Sequence, residues 1–274
     1  MTKTVARFET LQKQIGFDVE MRNINTVEGI KVPNHRAIVR TDTNKALSVV
    51  SDQYKIIKHD EVILPPVETL VGKGFKLTKG HILDDGAKVV VEMSGVEDID
   101  INGDAFRERL LLINSYDRSA SFQIKFGLFR LICSNGAGIW TPDSVNSKIK
   151  HIGDKAEQFD PKQFLKYLDG REEYIGKYIE VLAKMRDYKV DNKPQAEKVL
   201  KELQMGKRLT KDVIERWKKE DANSERTLYG IYNAITSMYS RKVETSKNVG
   251  VTLLGTQEKT VKLLSDIEKK LLVN

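Results

Sequence analysis

The side chains of this chain that could do chemistry are scattered, so each candidate constellation is weighed by its spacing. Four histidines, His35, His59, His81 and His151, stand far apart without metal-ligand spacing, and the single Cys133 cannot complete a zinc site or close an internal disulfide. Flanked by Leu131 and Ile132, Cys133 reads as a small buried hydrophobe rather than a nucleophile. Asp84, Asp85, Glu92, Asp98, Asp100 and Asp104 cluster in sequence. Paired carboxylates of this kind would suit magnesium in a nuclease, but most fall where turns are expected and Asp is a good turn former. The run from Gly72 to Gly80 is rich in glycine and lysine without the order of a phosphate-binding P-loop, and Gly136-Ala137-Gly138 lacks the third glycine of a dinucleotide site.

The remaining constellation is basic and aromatic. Lys125 shares one strand face with Gln123, Ser121 and Ser119, Arg118 sits in the preceding turn, and Arg130 begins the next apolar run. If that face lines a groove, the cations would neutralise phosphates while Tyr54 or Tyr116 stacks on bases, as in many single-strand binders. Asn114, Asp117 and Asn135 stand at the neighbouring turns and complete the candidate set. The competing reading is a solvated sheet face with a core-packed tyrosine.

These residues need strands to hold them. Leu110–Ile113 and Phe122–Ile132 are apolar runs around the polar turn Asn114-Ser115-Tyr116-Asp117-Arg118-Ser119, which predicts two strands joined by a tight connection. Alternation from Ser119 to Phe126 places Ala120, Phe122, Ile124 and Phe126 inward and the polar row outward. Upstream, Arg36–Arg40 and Ala46–Val50 predict a hairpin across Thr41–Lys45, with Tyr54–Ile57 continuing the sheet. A helix near Val62 is expected to start late or with a broken first turn because of Pro65-Pro66. Strands at Phe75–Lys79 and Ala87–Met93 follow, then an acidic loop or hairpin tip from Val96 to Asp104 around Asn102-Gly103.

The second half changes period. Asn146–Lys155 is polar and reads as a connection, and Asp160-Pro161 is a helix start whose stripe of Phe164, Leu168, Ile175, Ile179, Leu182 and Met185 runs to about Tyr188. Further helices are expected from Pro194, Thr210, Ser224 and about Thr256, and an N-terminal amphipathic helix over Val5–Ile15. The expectation is an α+β fold. An N-terminal curved antiparallel sheet with a packed helix occupies residues 1–145, and a helical region over 156–274 packs on it or extends from it.

With 274 residues, 40% of them hydrophobic and 31% charged, and no apolar run near the ~20 residues that span a bilayer, the chain reads as soluble and globular. No apolar export segment stands at the N-terminus, so a reducing bacterial cytoplasm is the expected compartment. The net charge of +7 is concentrated between Lys184 and Lys219, where 12 basic residues stand against 6 acidic ones. That stretch suits either a phosphate backbone or a solvated helical face.

The order N-S-Y-D-R-S, an alternating strand, then Arg130-Leu131-Ile132-Cys133-Ser134-Asn135 resembles the phage- and plasmid-like family called domain of unknown function 932. Val50–Ile57, Gly86–Glu92 and Thr227–Thr236 resemble that family's opening motif, middle strand and late helix. Family members usually carry Asp-Gly where this chain has Asp117-Arg118. The family name implies no settled activity. At the level of topology alone, a β-β-α-β-β core with basic residues is similar to the Rad52-like single-strand annealing proteins.

The leading functional expectation is therefore a phage- or plasmid-encoded protein that binds or anneals single-stranded DNA in recombination or replication. It would work as a homo-oligomer, without cofactor or catalysis, through Tyr54, Tyr116, Arg118, Lys125, Arg130 and Asn135. The alternative is a protein-interaction or regulatory factor of a mobile element. A metal-dependent nuclease using the acidic cluster is third.

Overall fold

The computed structural model describes residues 3–101, 103–131, 138–140, 148–149, 151, 170–220, 226–244 and 249–272. Cys133, Asn135, the helix start at Asp160-Pro161 and the cap at Ser224 lie outside these residues. The fold is α+β: two antiparallel sheets precede a run of helices. None of the described helices is long and apolar enough to cross a membrane.

Helix α1 (Lys3–Ile15) leads into a three-stranded sheet of β1 (Val19–Asn25), β2 (Lys31–Arg40) and β3 (Lys45–Ser51), paired in sequence order. The hairpin expected across Thr41–Lys45 is present, with Arg40 opposite Lys45 and Asn44 in the left-handed region at φ 55°. Strand β1 has only Val19 buried and carried too little alternation to be read from sequence; its backbone pairing with β2 creates it. Tyr54–Ile57 forms no strand: Tyr54 makes an isolated bridge and the segment leads into α2 (His59–Gly72).

Neither a late start nor a broken first turn is found in α2. Pro65 and Pro66 stand inside the helix, which forgoes two backbone donors while Val62, Ile63, Pro66, Val67 and Leu70 are buried. Burial of that stripe outweighs the missing hydrogen bonds. Packing overrides the local preference.

The larger sheet runs β4 (Lys76–Leu83), β5 (Lys88–Ile101), β6 (Asp104–Ser115), β7 (Phe122–Arg130) and β8 (Gly138–Trp140), with β9 (Lys148–Ile149) also paired to β7. Of the hairpin tip or loop expected at Val96–Asp104 the structure has the tip, a short one, because β5 extends to Ile101 and β6 begins at Asp104. Gly103 turns the chain there at φ 86°. Strand β7 departs from the predicted alternation: every residue from Phe122 to Phe129 is buried, including Gln123 and Lys125. A strand covered on both faces loses its outward polar row.

Helices α3 (Arg171–Asp187), α4 (Lys193–Glu202), α5 (Lys207–Glu220), α6 (Leu228–Glu244) and α7 (Val249–Leu271) complete the chain. Asn192 caps α4 by accepting from the Gln195 amide at 3.0 Å, with Pro194 in the first turn. Helix α6 is apolar around most of its girth, as a helix flanked by α3, α5 and α7 must be. Leu228, Ile231, Tyr232 and Ile235 are buried there.

The compact units are discontinuous in sequence. One comprises Met1–Glu97, Glu108–Phe126 and Pro142–Asp169; the other comprises Asp98–Arg107, Gly127–Thr141 and Gly170–Asn274.

In the first unit, Phe17, Val19, Ile38, Val50, Tyr54 and Tyr116 form one buried cluster. Gly86 lies against it at φ 101°, and a Cβ there would approach Phe17 Cζ to 2.5 Å. We expect Gly86→Ala to destabilise the protein by about 2 kcal/mol or more, from left-handed strain plus overpacking. Gly29→Ala, at φ 83° with nothing within 4 Å, should cost only the strain, about 1 kcal/mol. Urea midpoints of the two variants check the difference, and equal losses contradict it.

Candidate functional site

The site is built outward from the segment Asn114-Ser115-Tyr116 at the end of β6, all three residues buried. Its backbone and side chains tie down most of the surrounding connections. Tyr116 N–H donates to Ala87 O at 2.7 Å, and Ser48 Oγ donates to Tyr116 O at 2.7 Å. The Tyr54 hydroxyl donates to Ser115 O at 3.0 Å, and the His59 amide donates to the Tyr116 hydroxyl at 3.0 Å. Asn114 Nδ2 donates to Ile57 O at 2.9 Å and to His59 Nδ1 at 3.0 Å. The second bond leaves the ring proton of His59 on Nε2, where it donates to Gly86 O at 2.9 Å.

Beyond Tyr116 the chain turns sharply. Asp117 Oδ1 accepts from the Ser119 amide at 2.8 Å and from the Ser119 hydroxyl, an Asx turn. Ser115 Oγ closes the base of the turn, donating to Ala120 O at 2.7 Å and accepting from Ala120 N at 3.1 Å. Arg118 takes the left-handed conformation at φ 65°, which glycine adopts most readily. The geometry that glycine would serve is kept with a cation in its place.

Arg118 is exposed and stands at a cleft of about 430 Å³ lined by His35, Ser51, Tyr54, Arg118, Ala120, Ser121 and His151. That volume lies in the range of small-ligand sites. His35 comes from β2 just after Asn34, itself left-handed at φ 57°, and Ser51 ends β3. The Tyr54 ring stacks on the His151 ring, centroids 5.0 Å apart and planes within 8°. Lys55 and His151 exchange hydrogen bonds, Lys55 N–H donating to His151 O at 2.7 Å and His151 Nδ1 donating to Lys55 O at 3.2 Å. None of the lining residues is acidic, and Arg118 forms no ion pair among the described residues. The cleft therefore suits an anion.

Of the residues singled out from sequence, the structure brings Tyr54 and Arg118 together here. Tyr54 is 4% exposed with its ring face taken by His151, so it forms the floor of the cleft rather than an open stacking platform. Tyr116 and Asn114 are fully buried behind it, and burial pushes the Tyr54 and Tyr116 hydroxyls well above the ordinary range for tyrosine. The groove expected along Lys125 is closed, since Gln123 and Lys125 are covered. Asn135 lies outside the described residues.

Arg130 belongs to the other unit, donating to Asp104 Oδ1 at 2.6 Å, while Asp104 Oδ2 accepts from Arg186 and from the Tyr229 hydroxyl at 2.6 Å. It is an internal ion network there. The acidic cluster is dispersed in the same way: Asp85 pairs with Lys45, Glu92 with His81 and Arg109, and Asp98 with Arg107. No three metal-ligating side chains come together among the described residues.

His35, Ser51 and His151 were missed as site residues. Their spacing carries no signal, because tertiary packing, not sequence proximity, brings them to Arg118; strand pairing sets only His35 beside Ser51. Replacing Arg118 tests the turn separately from the charge: Arg118→Gly should leave the melting temperature unchanged or raise stability by up to about 1 kcal/mol, by relief of left-handed strain. A drop in thermal melting would show that the Arg118 side chain holds the fold.

Burial pulls the His59 pKa down from 6.5 to about 4 and lowers that of His151 as well. Both rings are neutral when folded at neutral pH and take up protons on unfolding below about pH 6.5. Their contribution is complete above pH 6.5 and falls as pH drops below it, for His59 down to about pH 4, with a slope of about 1.4 kcal/mol per pH unit for each fully titrating ring. Urea unfolding between pH 6.5 and 5 reads this fall before most carboxylates titrate, and a flat profile would contradict it.

A family model described as Domain of unknown function (DUF932) matches residues 46–263 of the chain. No curated protein and no solved structure matches it.

Proposed function

Since the chain belongs to the family of domain of unknown function 932, whose name carries no activity, we propose from the cleft itself that the protein binds single-stranded DNA. In this reading it coats or anneals strands as a homo-oligomer during recombination or replication of a phage or plasmid, without a cofactor. The observation that carries it is the cleft around Arg118: among the described residues that line it are one exposed guanidinium, two serines and two histidines, and no carboxylate. A phosphodiester needs a cation and hydroxyl donors.

Arg118, which lines the cleft beside Tyr54, is the principal phosphate contact in this reading. Tyr54 supports the cleft floor without stacking on bases, and Tyr116 maintains the turn. Lys125 and Arg130 have no direct part, being buried and held by Asp104 respectively. The exposed lysines of α4 and α5, Lys198, Lys201, Lys207 and Lys211 among them, would add non-specific attraction.

Fluorescence anisotropy with a labelled oligonucleotide at several salt concentrations tests the proposal. The affinity should fall with salt, and Arg118→Ala should weaken binding by roughly tenfold and reduce the salt slope by about 0.7, the loss of one phosphate contact on a single strand. Absence of binding at low salt would overturn it.

A further inference from the structure

The basic stretch of the second half takes a definite form in the helices. Four residues, 203–206, join α4 to α5 in a helix-turn-helix connection. The backbone of the turn fixes it. Gln204 is left-handed at φ 57°, its N–H donates to Lys201 O at 2.9 Å, and Met205 N–H donates to Leu200 O at 2.9 Å. Thr210 N–H then donates to Gly206 O at 2.9 Å as α5 begins. Ala196, Val199 and Leu200 of α4 and Val213, Ile214 and Trp217 of α5 are buried, so each helix turns its other side to solvent.

That outward side is cationic. Lys198 and Lys201 of α4 and Lys207, Arg208, Lys211 and Lys218 of α5 are exposed, and none of them makes an ion pair among the described residues. Glu197 is already held by Lys193 at 3.4 Å. Lys207, Lys211 and Lys218 fall within about 40° of one another around α5 and span about 16 Å of its axis, with Asp212 and Glu215 further round. No acid stands in the first turn of α5, where Lys207 and Arg208 oppose the helix dipole. Helix stability does not account for these charges; an external polyanion does.

The face also selects among polyanions. Trp217, the aromatic residue of the two helices, is 4% exposed, so the face has no stacking platform of the kind a single strand uses. A duplex keeps its bases stacked inside and presents phosphates. An α-helix about 10–12 Å across fits the B-form major groove, about 12 Å wide, but not the deep, narrow major groove of duplex RNA.

We propose that α4 and α5 form a second nucleic-acid site, with α5 in the major groove of double-stranded DNA. Lys207, Lys211 and Lys218 meet phosphates along the groove, and Lys198 and Lys201 meet the adjoining backbone. Asp212 and Glu215 then face base edges, where cytosine amino groups donate, rather than phosphates. The site shares no residue with the Arg118 cleft and does not rest on the single-strand reading.

Fluorescence anisotropy with the full chain and a short labelled DNA duplex tests it. The double variant Lys207→Gln/Lys211→Gln should weaken duplex binding by roughly tenfold or more and reduce the salt slope by about 1.8, the loss of two phosphate contacts. Both positions are exposed and glutamine is a good helix former, so the melting temperature should hold. Lys207→Arg/Lys211→Arg, which keeps both charges, should bind within about twofold of wild type. Removing two exposed charges elsewhere, by Lys259→Gln/Lys262→Gln on α7, should change the affinity by less than about twofold at physiological salt, as should Arg118→Ala. A duplex RNA of the same sequence should bind about tenfold more weakly.

No duplex binding at low salt, or equal losses from the α5 and α7 pairs, would overturn the proposal. So would equal binding of DNA and RNA duplexes, which a face built for an acidic protein would give, or an Arg118→Ala loss as large as that of the α5 pair. Duplex binding in the absence of single-strand binding would uphold it and remove the single-strand reading.

Discussion

The first unit depends on the buried end of β6. Asn114, Ser115 and Tyr116 satisfy, within three residues, polar groups of β3, of the Tyr54–Ile57 passage, of the first turn of α2 and of the turn before β5. Buried backbone groups must find partners, and irregular connections cannot supply them through a ladder. One strand end that offers a hydroxyl, an amide and its own backbone resolves that requirement for four connections together. It also explains why Tyr116 is wholly buried although it sits in a polar motif. Its ring completes the cluster with Phe17 and Tyr54, and its hydroxyl faces the His59 amide.

That arrangement leaves the turn after Tyr116 little freedom. The Asx turn at Asp117 and the Ser115 closure dictate a left-handed residue at position 118. Arginine there accepts a conformation that glycine would adopt without strain. Such residues persist where the surroundings over-determine them and often where function uses them. A guanidinium at a cleft with no acid among its described lining residues is a specific arrangement, because other cations near it in sequence are paired or covered: Arg130 with Asp104, Arg109 with Glu92, Lys125 within the sheet.

Much of the architecture was legible in the residues themselves. Hydrophobic period distinguishes the strands of the first half from the helices of the second, and Pro194 stands in the first turn of α4, the helix it was expected to open. The N-S-Y-D-R-S motif and its flanks pointed to the family now matched over residues 46–263. Where the reading departed from the structure, local pattern met a competing tertiary term. Strand β1 forms by pairing rather than by alternation, α2 continues through two prolines because its apolar stripe is buried, and β7 is covered on both faces.

By itself the sequence determined the α+β class, the chemistry of the turn after β6 and the absence of any regularly spaced metal, P-loop or dinucleotide motif. These are encoded in neighbours along the chain, where period, turn chemistry and spacing act over a few residues. The cleft was decided by tertiary structure alone. His35, Ser51, Arg118 and His151 are up to 116 positions apart, and strand pairing, the Tyr54–His151 stack and the hydrogen bonds of Lys55 and Tyr54 bring them together. The same step turned Lys125 from a candidate contact into a covered strand residue. Which polar side chain meets solvent depends on what packs above it, and that is a property of the assembled layers rather than of any single strand.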